Sequence, residues 1–542
     1  MTEYCIALDI GTSGLRCQVL DRETSETIAT SITSRHPIPG MNVIDHVNFA
    51  ITTGADAANE LIITAANRLF SSLGVDLSKV VSIAVCGNPF QLSLFQNIEI
   101  RDLAYAGKNA LESMGVVSPP RDGDVLNASD LGLKGMPNAV VIIPPAVTHE
   151  IGADAIAMLL VTDVLDSKEP CLVVDYGTNA EMALIVDGNI FTGSAAAGPA
   201  LEGQQIEKGM LAAPGAISNV QITSEGWRCT VLDESMKDVP GDMIDPHSGK
   251  ILIKSDMHGK AIGITGTGVI ASIYCGIESG MVHPPNINNP DGKIHLQDGV
   301  NIHSKDIDEA GKAIGALRAG FLTLLREAGL WTDDVKIAYM SGASGLYVDA
   351  KKALKIGMVV PGAERIFQFG NTSIELARRL ALGKMELDEL REFAKRLRAT
   401  HCMFATSDVF KNIYSIEYSL WSQGMPVSEY NNMMDVYDLP HIPDPMDDPF
   451  VSRMSVTDLP HTEGRKIIMI DEPGTILTGK IEGCILCKKC VKECPERALS
   501  LIQREEHIWG EIKSDRCAGT ACRRCERICP SQVLHITPFD VV

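Results

Sequence analysis

Eight of the fifteen cysteines in this chain lie between Cys484 and Cys529, in two runs that each close on Cys-Pro. In the first, Cys484-x2-Cys487-x2-Cys490-x3-Cys494-Pro495, the spacing lets three neighbouring thiolates grip one 4Fe-4S cube while the fourth reaches a second cube. The second, Cys517-x4-Cys522-x2-Cys525-x3-Cys529-Pro530, carries two extra residues between its first cysteines, which predicts a wider loop around a second cluster. By this rule Cys484, Cys487, Cys490 and Cys529 hold one cluster, and Cys517, Cys522, Cys525 and Cys494 the other. Zinc sites pair cysteines for a single ion and do not use x2-x2-x3 runs ending in proline. Disulfides need an oxidising compartment, whereas Met1-Thr2-Glu3-Tyr4 leads into a strand without the charged and apolar regions of an export signal, so a cytoplasmic protein of an anaerobe is expected. The other seven cysteines lack ligand spacing and read as buried thiols.

A second pattern suits phosphate chemistry. Asp9-Ile10-Gly11-Thr12-Ser13-Gly14 follows an apolar strand starting at Tyr4, and Asp175-Tyr176-Gly177-Thr178-Asn179 repeats the plan 166 residues later after a strand starting at Cys171. A return strand follows each, and Asp187-Gly188-Asn189 reads as a hairpin turn. Gly11 and Gly177 can turn backbone amides inward, Thr12 and Thr178 add hydroxyls, and Asp9 and Asp175 can hold magnesium through water. One such turn is an ordinary hairpin. Two in matching places predict a duplicated α/β fold with a cleft between its halves. Glu181 either positions an attacking water or is a solvated strand residue.

Positioning these groups requires several lobes, because 542 residues exceed one core. Ile307, Ala310, Ile314, Leu317, Phe321 and Leu324 form a helical core stripe behind an expected start at Asp306 and Glu309. A strand over 337–340 runs into Ser341-Gly342-Ala343-Ser344-Gly345 and a helix toward Leu354, and helices are expected after Ser373 and over 387–398. Prolines 440, 443, 445, 449 and 460, among aspartates, mark a linker or wrapping segment over about 437–465. The predicted division is therefore 1–465, two lobes with phosphate loops near 9–14 and 175–181, and 466–542, a small α+β ferredoxin-like domain. The net charge of −21 argues against a nucleic-acid partner, and no apolar run is long enough to span a membrane. Residues 480–542 carry 11 Lys and Arg against 9 Asp and Glu, a net of +2 that leaves −23 elsewhere. Those basic residues read as a solvated face or as a greeting for an acidic partner.

The paired loops resemble those of the actin, hexokinase, Hsp70 and acetate and sugar kinase superfamily, which implies ATP with Mg2+ between two lobes. There a third glycine loop covers adenosine, and Gly342, Ser344 and Gly345 are its best match; Gly263-Ile264-Thr265-Gly266-Thr267-Gly268 is a second candidate or a tight loop before a packed helix. No Gly-x4-Gly-Lys-Ser/Thr run or dinucleotide fingerprint is present. Joined to eight ferredoxin-type cysteines, the whole resembles the reductive activators of corrinoid enzymes, those of methylamine methyltransferase systems among them. Ala7 to Gly14, Cys86-Gly87-Asn88-Pro89 with Gln91 to Phe95, Asp175 to Met182, Ala197-Gly198-Pro199-Ala200, Met340 to Gly345, Phe369 to Ser373 and both cysteine runs carry the likeness. It implies a reductase that uses ATP and two 4Fe-4S clusters to return a partner corrinoid protein from cobalt(II) to cobalt(I), fed by a low-potential electron donor. An ATP-gated redox sensor and a small-molecule kinase with a fused ferredoxin are the alternatives.

Overall fold

The computed structural model describes residues 2–40, 42–105, 108–196, 205–465, 467–536 and 539–541; the motif at 197–200 and residue 466 lie outside them. Two compact units result, one of Met1–Ala157, Ser373–Arg398 and Leu459–Val542, the other of Met158–Thr372 and Ala399–Asp458.

In the first unit the strand Tyr4–Ile10 is buried along nearly its whole length, as its unbroken apolar run requires of a strand covered on both faces. It pairs antiparallel with Leu15–Asp21, which pairs with Thr27–Thr33, while Val80–Gly87 and then Val140–Ile143 continue the sheet in parallel on its other side. Helices Val43–Thr53 and Ala55–Ser72 follow the hairpin strands. The edge beyond Thr27–Thr33 is closed by Ile467–Ile470, running parallel to it. Only after this strap does the chain enter a separate four-stranded sheet, ordered Leu499–Arg504, His507–Lys513, Ile476–Lys480, Asp540–Val541. Phe539 lies against its face; a Cβ on Gly479 or Gly510 would stand 2.3 or 2.6 Å from that ring. The eight clustered cysteines hang from this small sheet.

The second unit repeats the plan. Asn189–Ala195, Ala180–Val186 and Cys171–Tyr176 form the antiparallel part of its main sheet, and Ile337–Ser341, Arg365–Gln368 and Phe450–Arg453 continue it in parallel. Both sheets therefore have the order third, second, first, fourth, which is the predicted duplication. The two-residue turn between Ala180–Val186 and Asn189–Ala195 has positive φ at Asp187 (48°) and Gly188 (79°), the twist-matched hairpin geometry. A five-stranded sheet built around Trp227–Leu232 is added to this unit.

Local expectations shift in three places. The stretch rich in proline contains the edge strand Phe450–Arg453; Pro449 and Pro460 flank it, where no ladder N–H is needed. The long helix is Ser304–Glu327, so Asp306 lies inside its first turn: the His303 N–H donates to one carboxylate oxygen (2.9 Å) and the Glu207 N–H to the other (2.8 Å). After Ile337–Ser341 the chain turns at once into the helix Gly342–Tyr347, breaks, and resumes at Ala350–Lys355, where Asp349 caps it.

Candidate functional site

The turn after Tyr4–Ile10 is closed by the Gly11 N–H donating to the Gly14 carbonyl at 3.1 Å. Gly11 does not adopt a left-handed backbone, contrary to the expected use of its freedom, and neither does Gly14. What they supply is room. A Cβ on Gly11 would meet the Arg16 guanidinium at 2.6 Å, and one on Gly14 the Thr33 hydroxyl at 2.9 Å, the hydroxyl that accepts the Leu15 N–H. Arg16 reaches back to buried Asp9, with Nη1 3.5 Å from the carboxylate. Thr12 is buried, its hydroxyl 3.5 Å from the Asn88 amide nitrogen; Ser13 is half-buried.

One carboxylate here was not signalled by the sequence. Asp154, in the first turn of helix Ala153–Val161, lies close enough to Asp9 for the two charges to interact. Burial pushes its carboxyl up to about 6; N–H bonds from Ala155 and Gly152 oppose the rise and the Asp9 charge adds to it. Two carboxylates at one turn, one with a raised pKa, suit a divalent cation, which would relieve their repulsion. An aspartate in a first helical turn otherwise reads as a partner of the helix dipole, so local sequence gave no cue.

In the second unit Asp175, next to last in its strand, lies opposite Glu181 and beside Ser341. Gly342 has a φ of 80°, and a Cβ there would stand 2.5 Å from a carboxylate oxygen of Asp175. The third glycine segment and the second aspartate are thus one local site. Gly177 also lacks a left-handed backbone, and its Cβ position is 3.2 Å from the Asn179 carbonyl. Thr178 is buried, and Asn179 and Ser344 are half-buried. Glu181 is 4% exposed with the Ser194 hydroxyl 3.5 Å away, so it is not a solvated strand residue. Gly345 is packed, its Cβ position 3.1 Å from both Met340 and the Tyr176 ring. Thr265 caps helix Gly266–Glu278, and a Cβ on Gly268 would press the Ile217 carbonyl at 2.4 Å; that glycine run is a tight loop before a packed helix.

Cys484, Cys487, Cys490 and Cys529 line one apolar cavity with Ile481, Leu501 and Leu534. Cys487 is exposed and Cys490 buried, and Ile485 beside them is 66% exposed. Burial, which would raise the Cys529 thiol, is outweighed by the backbone N–H groups of Val533, Leu534, Ser531 and Gln532, which favour its thiolate. The other four cysteines also sit together. Burial raises the Cys517 thiol to about 11 and Cys525 to about 12, with Cys494 and Cys522 adding at Cys517, and Cys517 and Cys494 at Cys525. Two groups of four thiols, the first lining a cavity and the second close enough for their charges to interact, fit a pair of iron-sulfur cubes, since such a cluster replaces the thiol protons that crowd there. In each run the residue after the second cysteine, Lys488 (φ 58°) or Arg523 (φ 43°), is left-handed and opens a short helix carrying the third cysteine. The two extra residues of the second run form part of a helical turn, Gly519–Cys522, packed against Val43–Thr53.

No helix among the described residues is long and apolar enough to cross a membrane. A duplicated sheet with paired aspartate turns, joined to a small domain of eight converging cysteines, defines an ASKHA-type protein with a 4Fe-4S dicluster domain. Residues 4–167 match the RACo middle region, 169–431 the C-terminal domain of RACo, the ASKHA domain, and 483–533 the 4Fe-4S dicluster domain. The chain is 49% identical over 521 residues to the Co(II) methylated amine-specific corrinoid protein reductase of Methanosarcina barkeri, covering 96% of each, and it belongs to that family. It is 23% identical to the corrinoid activation enzyme RamQ of Eubacterium limosum, over 66% of this chain and 60% of that one. A solved reductive activator for corrinoid, iron-sulfur protein shares the fold at a TM-score of 0.62 and 23% identity, over 77% of this chain and 66% of that one.

Proposed function

We propose that this chain is an ATP-dependent reductive activator of the corrinoid proteins of methylamine methyltransferase systems, returning inactive cobalt(II) to cobalt(I) in the cytoplasm. The observation that carries this reading is the likeness, over 96% of each chain, to a reductase of that specificity, in a chain that has two aspartate turns and eight clustered cysteines. Asp9 and Asp175, with Asp154, hold the magnesium of ATP. Gly11, Thr12, Ser13 and Gly14 from one turn and Gly177, Thr178 and Asn179 from the other bind its phosphates, and Gly342, Ser344 and Gly345 approach the nucleoside. Buried Glu181 orients the attacking water. The two groups of four cysteines each hold a 4Fe-4S cluster, and when bound these clusters supply one-electron chemistry at low potential. In functional terms 1–465 is the ATP-binding region and 466–542 the electron-transfer domain, with Ile467–Ile470 as the strap joining them.

Cobalt(I) demands a strong reductant, so the nucleotide's part is to favour a state of the complex in which cobalt is easier to reduce. The test mixes the anaerobic protein with a cobalt(II) methylamine corrinoid protein, a chemical reductant and Mg·ATP, and follows cobalt(I) absorbance with each component omitted in turn. Cobalt(I) that forms only in the complete mixture supports the reading. Formation at the same rate without ATP, or a phosphorylated metabolite from labelled ATP, overturns it.

A further inference from the structure

Between the first aspartate turn and the second cysteine run lies a buried polar cluster that neither site uses. His36 and His46 are stacked at 4.2 Å, both nearly inaccessible. The Gln91 amide donates to Nδ1 of His46 at 2.8 Å, and the Ile38 N–H to Nδ1 of His36 at 3.1 Å. Burial holds both imidazoles neutral, His46 down to about 3. With Nδ1 accepting, each ring carries its proton on Nε2; neither Nε2 nor the Gln91 carbonyl oxygen has a close hydrogen-bond partner among the described residues, the Gln91 side chain reaching toward His36 as well as His46. Leaving buried polar atoms without close partners is costly, so apolar side chains would have packed this space more stably. Such groups call for an explanation other than packing.

Connectivity supplies one. Gln91 lies in helix Pro89–Gln96, which Asn88 caps, and the same Asn88 faces Thr12 of the aspartate turn. Asp9 and Ile10 are paired in register with Cys86 and Gly87, just before that cap. On the other side His46 lies in helix Val43–Thr53 beside Asp45, whose carboxylate accepts the Thr520 hydroxyl at 2.9 Å. The Asn48 amide reaches the same hydroxyl at 3.2 Å, and the Gly40 N–H donates to the Cys517 carbonyl at 2.8 Å. A Cβ on Gly40 would lie 2.3 Å from the Asp45 side chain and 3.2 Å from the His46 ring, so loop, helix and cluster are locked together.

We propose that Gln91, His46 and His36 are positioning residues that couple occupancy of the Thr12 turn to the geometry of the loop carrying Cys517 and Cys522. Nucleotide that draws Thr12 and Asn88 shifts helix Pro89–Gln96, Gln91 exchanges its hold on His46, and helix Val43–Thr53 carries the shift to Thr520 and Cys517. Gln91, set between the two rings with its Oε1 and both Nε2 atoms loosely held, gives the cluster a second set of partners to adopt. This inference rests on the reading of the turn as a nucleotide site.

The test is hydrogen exchange on the full, cluster-loaded chain under anaerobic conditions, with and without Mg·AMP-PNP. Nucleotide is expected to slow exchange over 517–525 by about tenfold, within the usual range of coupling between sites. In Gln91→Leu and in Thr520→Val the response at 517–525 is lost, while iron content and AMP-PNP affinity stay as in the parent; Thr520→Ser, which keeps the hydroxyl, restores it. Persistence of the response in Thr520→Val overturns the proposal, as does a parent protein that binds AMP-PNP with no change at 517–525. A parent that binds no nucleotide overturns the reading of the turn and this inference with it.

Discussion

The two cysteine sites differ most in what surrounds them. The cavity of Cys484, Cys487, Cys490 and Cys529 opens beside exposed Cys487 and Ile485, whereas Cys517 is tied through backbone and side chains to the loop and helix over 40–53. The same ligand chemistry has thus been given one outward and one inward setting. Under the proposed function this is a division of labour: the outward site would exchange electrons with a partner, and the inward one would respond to the nucleotide turn.

The largest expected effect breaks one site and spares the other. Cys490→Ser and Cys525→Ser should each remove about half of the bound iron and abolish cobalt(I) formation, as read by iron assay and absorbance; if either variant kept its full iron, the grouping of ligands would be wrong. Next come the carboxylates. Asp9→Ala and Asp175→Ala should slow ATP-dependent activation by about 10²- to 10³-fold with iron unchanged, the scale of losing a preorganised electrostatic group.

Asp154 separates the two turns by pH. Its carboxyl is raised from 3.8 to about 6, so the folded protein holds a proton there that the unfolded chain has lost, and stability falls as pH rises through that window. Asp154→Asn should remove this fall, stabilise the magnesium-free protein by about 1–2 kcal/mol above pH 6, and weaken magnesium-dependent nucleotide binding. Thermal melts at pH 5 and pH 7 check it; a variant no more stable than its parent at pH 7 would contradict the cause assigned to the shift.

Smaller effects compare the glycines. Gly342→Ala places a side chain on left-handed backbone and against Asp175, which should cost about 1–2 kcal/mol and raise the Mg·ATP requirement. Gly11→Ala meets the flexible end of Arg16 and should be milder in the same assays. Smallest is Arg68→Ala, which removes bonds from Nη1 to the carbonyls of Glu472 and Gly474; faster hydrogen exchange over 467–475 with unchanged activity is expected.

Much of this was legible locally. Cysteine spacing and the repeated strand, aspartate, glycine pattern are short-range signals, and both sheets carry the predicted hairpins. What escaped was non-local. Asp154 joins Asp9 only because the fold brings the start of helix Ala153–Val161 to the end of strand Tyr4–Ile10, and no periodicity in either segment records that meeting. The strap Ile467–Ile470 follows a stretch whose prolines and aspartates read as a linker, yet its value lies in an edge vacant more than 400 residues earlier. Glycine was misread in mechanism at Gly11 and Gly177, neither of which is left-handed: at Gly11 the neighbour Arg16 imposes the small residue, and its direction is not written in the turn itself.

That strap also sets how electrons can be delivered. Five residues, 471–475, join Ile470 to the small sheet at Ile476, a reach of about 20 Å even if fully drawn out, and Arg68 pins two of them. The iron-sulfur domain is therefore no swinging arm that ferries charge between distant stations. Under the proposed function it is a fixed terminal, to which the electron donor and the cobalt protein would have to travel.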